Sequence, residues 1–81
     1  MSEYQDPAFN AVAVTPSDLA ADNFDVPARG LYVGGAGDVQ VVMEGGATAL
    51  FIAVPVGTIL PIRFIRVTDA NTDATNMVAL Y

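Results

Sequence analysis

The chain has 81 residues, 53% of them apolar, and nine acids against three arginines give it a formal net charge of −6. That length fits one domain and leaves no room for a second. The absence of cysteine and histidine excludes disulfides and the usual zinc ligands, and the absence of lysine leaves no basic cluster to neutralise nucleic-acid phosphates.

The same acidity repels anionic lipid, so neither nucleic acid nor membrane is expected as a partner. Domains this small are marginally stable and usually add a disulfide, a metal or oligomerisation. Only the last remains, and an apolar fraction above the ~45–50% typical of soluble domains fits surface covered by neighbours. A homo-oligomer is expected on composition alone.

The start, Met1-Ser2-Glu3-Tyr4-Gln5-Asp6-Pro7, is acidic, whereas a signal peptide opens on a basic segment. Residues 1–28 hold five of the nine acids, no basic residue until Arg29, and both Pro7 and Pro16. They read as an acidic N-terminal arm, ordered only against the body or a neighbour. Within the arm, Val12 and Val14 alternate as an edge strand would. Residues 17–22 can form one helical turn capped by Ser17.

The body, residues 29–81, has regular punctuation. Leu31-Tyr32-Val33 is a short strand that stops at Gly34-Gly35-Ala36-Gly37. Residues 38–44 follow, with Val39, Val41 and Met43 on one face, and Gly45-Gly46 is a two-residue hairpin signal. Residues 48–54 form the return strand, ending at Pro55-Val56-Gly57. Residues 59–69 are the longest strand candidate, and after Asn71-Thr72-Asp73 the chain closes with Asn76-Met77-Val78-Ala79-Leu80-Tyr81. No segment keeps a helical apolar period. The expected fold is all-β: a small single-domain sandwich or barrel of five to six short antiparallel strands, with an extended N-terminal arm.

Two strands carry further information. In Ile62-Arg63-Phe64-Ile65-Arg66-Val67 the apolar residues change face between Phe64 and Ile65, and a bulge there would bring both arginines to one side. Ala49-Leu50-Phe51-Ile52-Ala53-Val54 is apolar on both faces. Either another subunit covers one face, or the strand is central in a closed barrel. Residues 47–62, the longest apolar stretch, are broken by Thr48, Pro55, Gly57, Thr58 and Pro61, so they cannot cross a bilayer as a helix. Soluble synthesis in the cytoplasm of whatever cell expresses the chain is expected.

Catalytic chemistry has little to work with. Ser-His-Asp, Cys-His and Ser-Lys sets all lack a member, and Asp38, Glu44, Asp69 and Asp73 sit at strand ends and turns where acids are expected anyway. The glycine run fails the phosphate-loop spacing, because Gln40 stands where a glycine is required and a strand follows. Its glycines are expected to supply positive-φ turns. Asp69-Ala70-Asn71-Thr72-Asp73 opens like a calcium loop, but Ala74 and Leu80 break the pattern at its sixth and twelfth positions. No enzyme, cofactor, catalytic residue or metal site is expected.

Several motifs recur in order along residues 12–81. They are Thr15-Pro16-Ser17-Asp18, the run from Pro27 through Arg29-Gly30-Leu31-Tyr32-Val33-Gly34-Gly35-Ala36-Gly37-Asp38-Val39, and Val54-Pro55-Val56-Gly57-Thr58-Ile59-Leu60-Pro61-Ile62-Arg63. Arg66-Val67, Ala74-Thr75 and Val78-Ala79-Leu80-Tyr81 complete the set. In these the chain resembles the head spike base proteins of gene transfer agents and related tailed bacteriophages. The resemblance implies a virion structural protein on the outer capsid surface, at vertices, carrying a spike fibre. It further implies the major capsid protein and a spike fibre protein as partners, and a homo-oligomer, with a pentamer favoured over a trimer. The sequence departs from the family in the longer acidic stretch at residues 20–25 and the Asp- and Asn-rich turn at 69–73. The alternatives are a capsid decoration protein between capsomers and a carbohydrate-binding module of a host-recognition apparatus. Against the second, tryptophan is absent and Tyr4, Tyr32 and Tyr81 are scattered. The candidate interface residues are Arg29, Phe51, Arg63, Arg66 and Tyr81, with Arg63 or Arg66 gripping an acid of a neighbour.

Overall fold

The computed structural model describes residues 10–81. Seven strands run in chain order: β1 (Ala11–Ala13), β2 (Gly30–Val33), β3 (Gly37–Met43), β4 (Thr48–Val54), β5 (Thr58–Leu60), β6 (Phe64–Val67) and β7 (Val78–Leu80). A single 3₁₀ turn, Ala20–Asp22, lies between β1 and β2. Two antiparallel sheets result, one ordered β1-β7-β2-β5 and the other β4-β3-β6. The expected all-β fold is therefore present as a sandwich: the body contributes six strands, β2 to β7, within the five or six that the punctuation suggested, and β1 comes from the arm.

The core is where the two sheets meet. Leu31 and Val33 from β2 and Ala79 from β7 face Val39 and Val41 from β3 and Phe64 and Val67 from β6, all buried. Their period of two follows from the pleat, and each large apolar side chain so buried contributes about 1.5–3 kcal/mol. Ala28, Val54, Ala74 and Met77 close the ends of this cluster.

Three sequence expectations are revised. The long strand over residues 59–69 is two strands in different sheets, β5 and β6, because the chain crosses over at Pro61-Ile62-Arg63. Proline cannot donate to a ladder, so it marks the break. The β3–β4 hairpin is not a two-residue turn. Met43 O accepts from Gly46 N–H (2.8 Å), Met43 N–H donates to Ala47 O (2.7 Å) and Gly46 has φ +96. That is a three-residue loop with a glycine-dependent bulge.

The glycine run supplies the expected positive φ at Gly37 alone (φ +156), and its larger part in the fold is another. Gly35 bridges Thr75, and a Cβ at Gly34 would stand 2.6 Å from Asn76 O, while one at Gly37 would stand 2.7 Å from Ala74 N. A Cβ at Gly35 would collide with Thr75 Oγ1. These glycines chiefly let the backbone of residues 74–76 approach closely.

The bulge in β6 is present. Met43 pairs with Phe64 and Val42 with Arg66, so one residue of β3 opposes two of β6. The extra residue is Ile65. It lets Phe64 and Val67, three apart, both turn inward.

Candidate functional site

Among the described residues no three or more histidine, cysteine, aspartate or glutamate side chains converge. The two edges of the three-stranded sheet are treated in opposite ways. Along β6, residues 17–28 occupy the free edge. Ser17 N–H donates to Val67 O (2.9 Å), Phe24 N–H to Ile65 O (2.7 Å), and Ala28 and Phe64 exchange bonds of 2.9 and 3.0 Å. The Phe24 ring meets Phe64 edge-on at 5.5 Å.

Arg66 fastens this cover. Its Nε–H donates to Asn23 Oδ1 (2.8 Å) and its Nη1–H to Ser17 O (2.9 Å). Ser17 does not cap the turn in the usual way. Its Oγ accepts from Leu19 N–H (3.2 Å) and donates to Asp22 Oδ2 (2.5 Å). Asp18 Oδ1 accepts from both Asp69 and Ala70 N–H, each at 3.0 Å, and Asn71 Nδ2–H donates to Gln40 Oε1 (3.0 Å). The Asx-rich turn is thus held by side chains of the arm and of β3.

The β4 edge is bare among the described residues. Because Met43 N–H bonds Ala47 O, the alternation along the ladder turns the backbone groups of Thr48 and Leu50 away from β3. Side chains there are apolar and open: Ile52 is 72% exposed, Val56 64%, Ile59 57% and Leu50 45%. Residues 47–62 include no charged side chain. Natural edge strands are normally blunted by charges, proline or bulges. Here the last turn of protection is a bulge at Ile52-Ala53, where Ala53 has φ +56 and donates its N–H to Asp38 Oδ1 (2.8 Å). Of the two readings left open for this strand, central in a barrel or facing a partner, the first is removed: β4 is an edge.

On the opposite flank, Asn10, Val12, Phe24, Asp25, Val26 and Tyr81 line an open groove of about 430 Å³. Tyr81 packs 6.3 Å from Phe24, and burial pushes its hydroxyl above the ordinary tyrosine pKa. The five candidate interface residues therefore scatter. Tyr81 joins the groove, Arg66 is engaged with the arm, and Phe51 turns inward opposite Val39 against the core. Arg29 is half-buried beside Leu80, whose carbonyl accepts its N–H (2.9 Å), and Arg63 is exposed at the β5–β6 crossing. The sequence-based candidates did not include Val12 and Ile59, exposed on the outer strands β1 and β5, or Val26, exposed in the segment between β1 and β2.

No protein-family model matches the chain, and no curated protein does. Among solved structures, a chain in the capsid of a native gene transfer agent particle, computed with C5 symmetry, matches with a TM-score of 0.81 and 31% identity. The alignment covers 95% of this chain and 87% of that one. The chain belongs to that capsid protein's family. Contiguous exposed apolar surface of the kind on the β4 flank is, as a general rule, where proteins meet partners.

Proposed function

We propose that this capsid-family protein is the base of a head spike, seated on the outer surface of the particle at its fivefold vertices and carrying a fibre. The observation that carries the reading is the near full-length likeness to a chain of a gene transfer agent capsid computed with C5 symmetry. The motif resemblance along residues 12–81 points the same way. Electrostatics agree: a net charge of −6 with no lysine suits the outside of a shell and would be repelled by packaged DNA. A pentamer matches the vertex symmetry, and the contact to the shell is with the major capsid protein. No catalytic role is part of this reading.

The test is localisation in the particle. Particles from the cell that encodes the chain are reconstructed with and without the gene, and the difference density is examined. Density at the vertices that vanishes with the gene is expected. Density between capsomers would replace this reading with a decoration role, and particles unchanged by loss of the gene would refute both.

A further inference from the structure

We infer that copies of this chain join head to tail, the β4 flank of one subunit seating on the groove lined by Val12, Phe24, Val26 and Tyr81 of the next. The inference deepens the assembly reading above and rests on it for the setting in a symmetric particle.

Topology places the two surfaces apart. In the four-stranded sheet β1 and β5 are the two outer strands, and the groove lies on the β1 side, between β1 and residues 24–26. β4 joins β5 through only residues 55–57, so its free edge lies on the other flank. One subunit therefore cannot satisfy both surfaces by itself, nor can a twofold pair that buries one patch against its own copy. A heterologous contact uses both, and it closes into a ring when the rotation per subunit divides a full turn.

Both surfaces are apolar and accessible. Leu50 and Ile52 project from an edge strand whose Thr48 and Leu50 backbone groups face outward, and the groove is concave and mostly apolar. Charge selects the occupant. Two chains of net charge −6 repel, so an uncharged contact avoids placing like charges against each other. Residues 47–62 are the longest uncharged segment of the body, and Asp25 is the one acid among the groove residues. A second copy meets that condition with its own β4 flank.

The experiment uses the full chain and two single variants, Ile52→Asp on the edge and Val26→Asp at the groove. Both positions are exposed, so circular dichroism and thermal melts are expected to match the wild type. By sedimentation velocity the wild type self-associates, and each variant alone loses affinity by about thirtyfold or more, the scale of a hot-spot residue. When the two variants are mixed, each supplies the surface that the other lacks, and a one-to-one heterodimer forms. A wild type that stays monomeric at its highest soluble concentration overturns the inference, as does an unchanged mass for either variant. A mixture that yields no heterodimer rules out the head-to-tail pairing. None of these outcomes touches vertex localisation, so failure here is distinguishable from failure of the spike-base reading.

Discussion

Replacing Ala53 with glycine should make the protein more stable, against the usual effect of adding glycine to a strand. Ala53 sits at φ +56, in the left-handed region, at the bulge that ends β4. An L-residue held there costs about 1–2 kcal/mol. Glycine removes that cost but loses about 0.5–1 kcal/mol through its greater freedom when unfolded. Ala53 is exposed, so no core packing is lost with its methyl group. The net gain is about 0.5–1 kcal/mol, which for a domain of this size raises the melting midpoint by roughly 2–8 °C. Urea titration at fixed protein concentration reads the change directly. A companion variant, Asp38→Ala, removes the carboxylate that accepts the Ala53 N–H and should cost about 1 kcal/mol. If Ala53→Gly leaves the midpoint unchanged or lowers it, the bulge does not strain the chain and the account of how β4 ends is wrong.

Other expectations follow from single contacts. Gly34→Ala places a methyl group 2.6 Å from the Asn76 carbonyl oxygen, a backbone atom that cannot step aside, and should destabilise by about 1–3 kcal/mol in the same titration. Arg66→Ala removes both bonds to the arm, so amide exchange should accelerate at Ser17 and Phe24 while the amides of Val39 and Val41 stay protected. Lysine at that position should not restore protection, because it lacks the planar fork. The raised pKa of Tyr81 comes from burial, which favours the neutral phenol in the folded chain. Its contribution is intact below the ordinary tyrosine value of about 10 and is lost as pH climbs through the raised folded value. Tyr81→Phe should remove that alkaline loss, read by the tyrosinate ultraviolet band and by melts across the alkaline range.

What the sequence disclosed was local. Phe64 and Val67 stand three apart in a strand, which only a bulge reconciles with a shared face, and the bulge is there. The edge alternation of Val12 appears as β1, and a short turn falls within residues 17–22. What it hid depends on partners distant in the chain. Nothing near Gly34 and Gly35 announces that residues 75–76 press against them. Nothing near Leu50 says whether β4 is flanked on one side or two, yet that decides whether a two-sided apolar strand is core or surface. Pro61 did signal a break, but the apolar residues on either side read as one run until the sheets to which they belong are known. The same holds for Phe51 and Ile52: both are large, apolar neighbours, and only the pleat and the sheet order turn the first toward the core and the second outward.

The position of β7 carries a consequence for how the protein forms. It lies between β1 and β2, so the four-stranded sheet gathers segments from residues 11, 31, 59 and 79 around a strand that is synthesised after the other three. Such non-local pairing makes folding slow, because long loops must close before any contact compensates for them. During that interval β2 lacks one of its two neighbours and β1 has none, while the short-range β3–β4 hairpin can already stand with its apolar edge open. On the head-to-tail pairing proposed above, the β4 surface would form before the groove that receives it, since Tyr81 and Asn10, which exchange backbone hydrogen bonds, are brought together only when β7 docks.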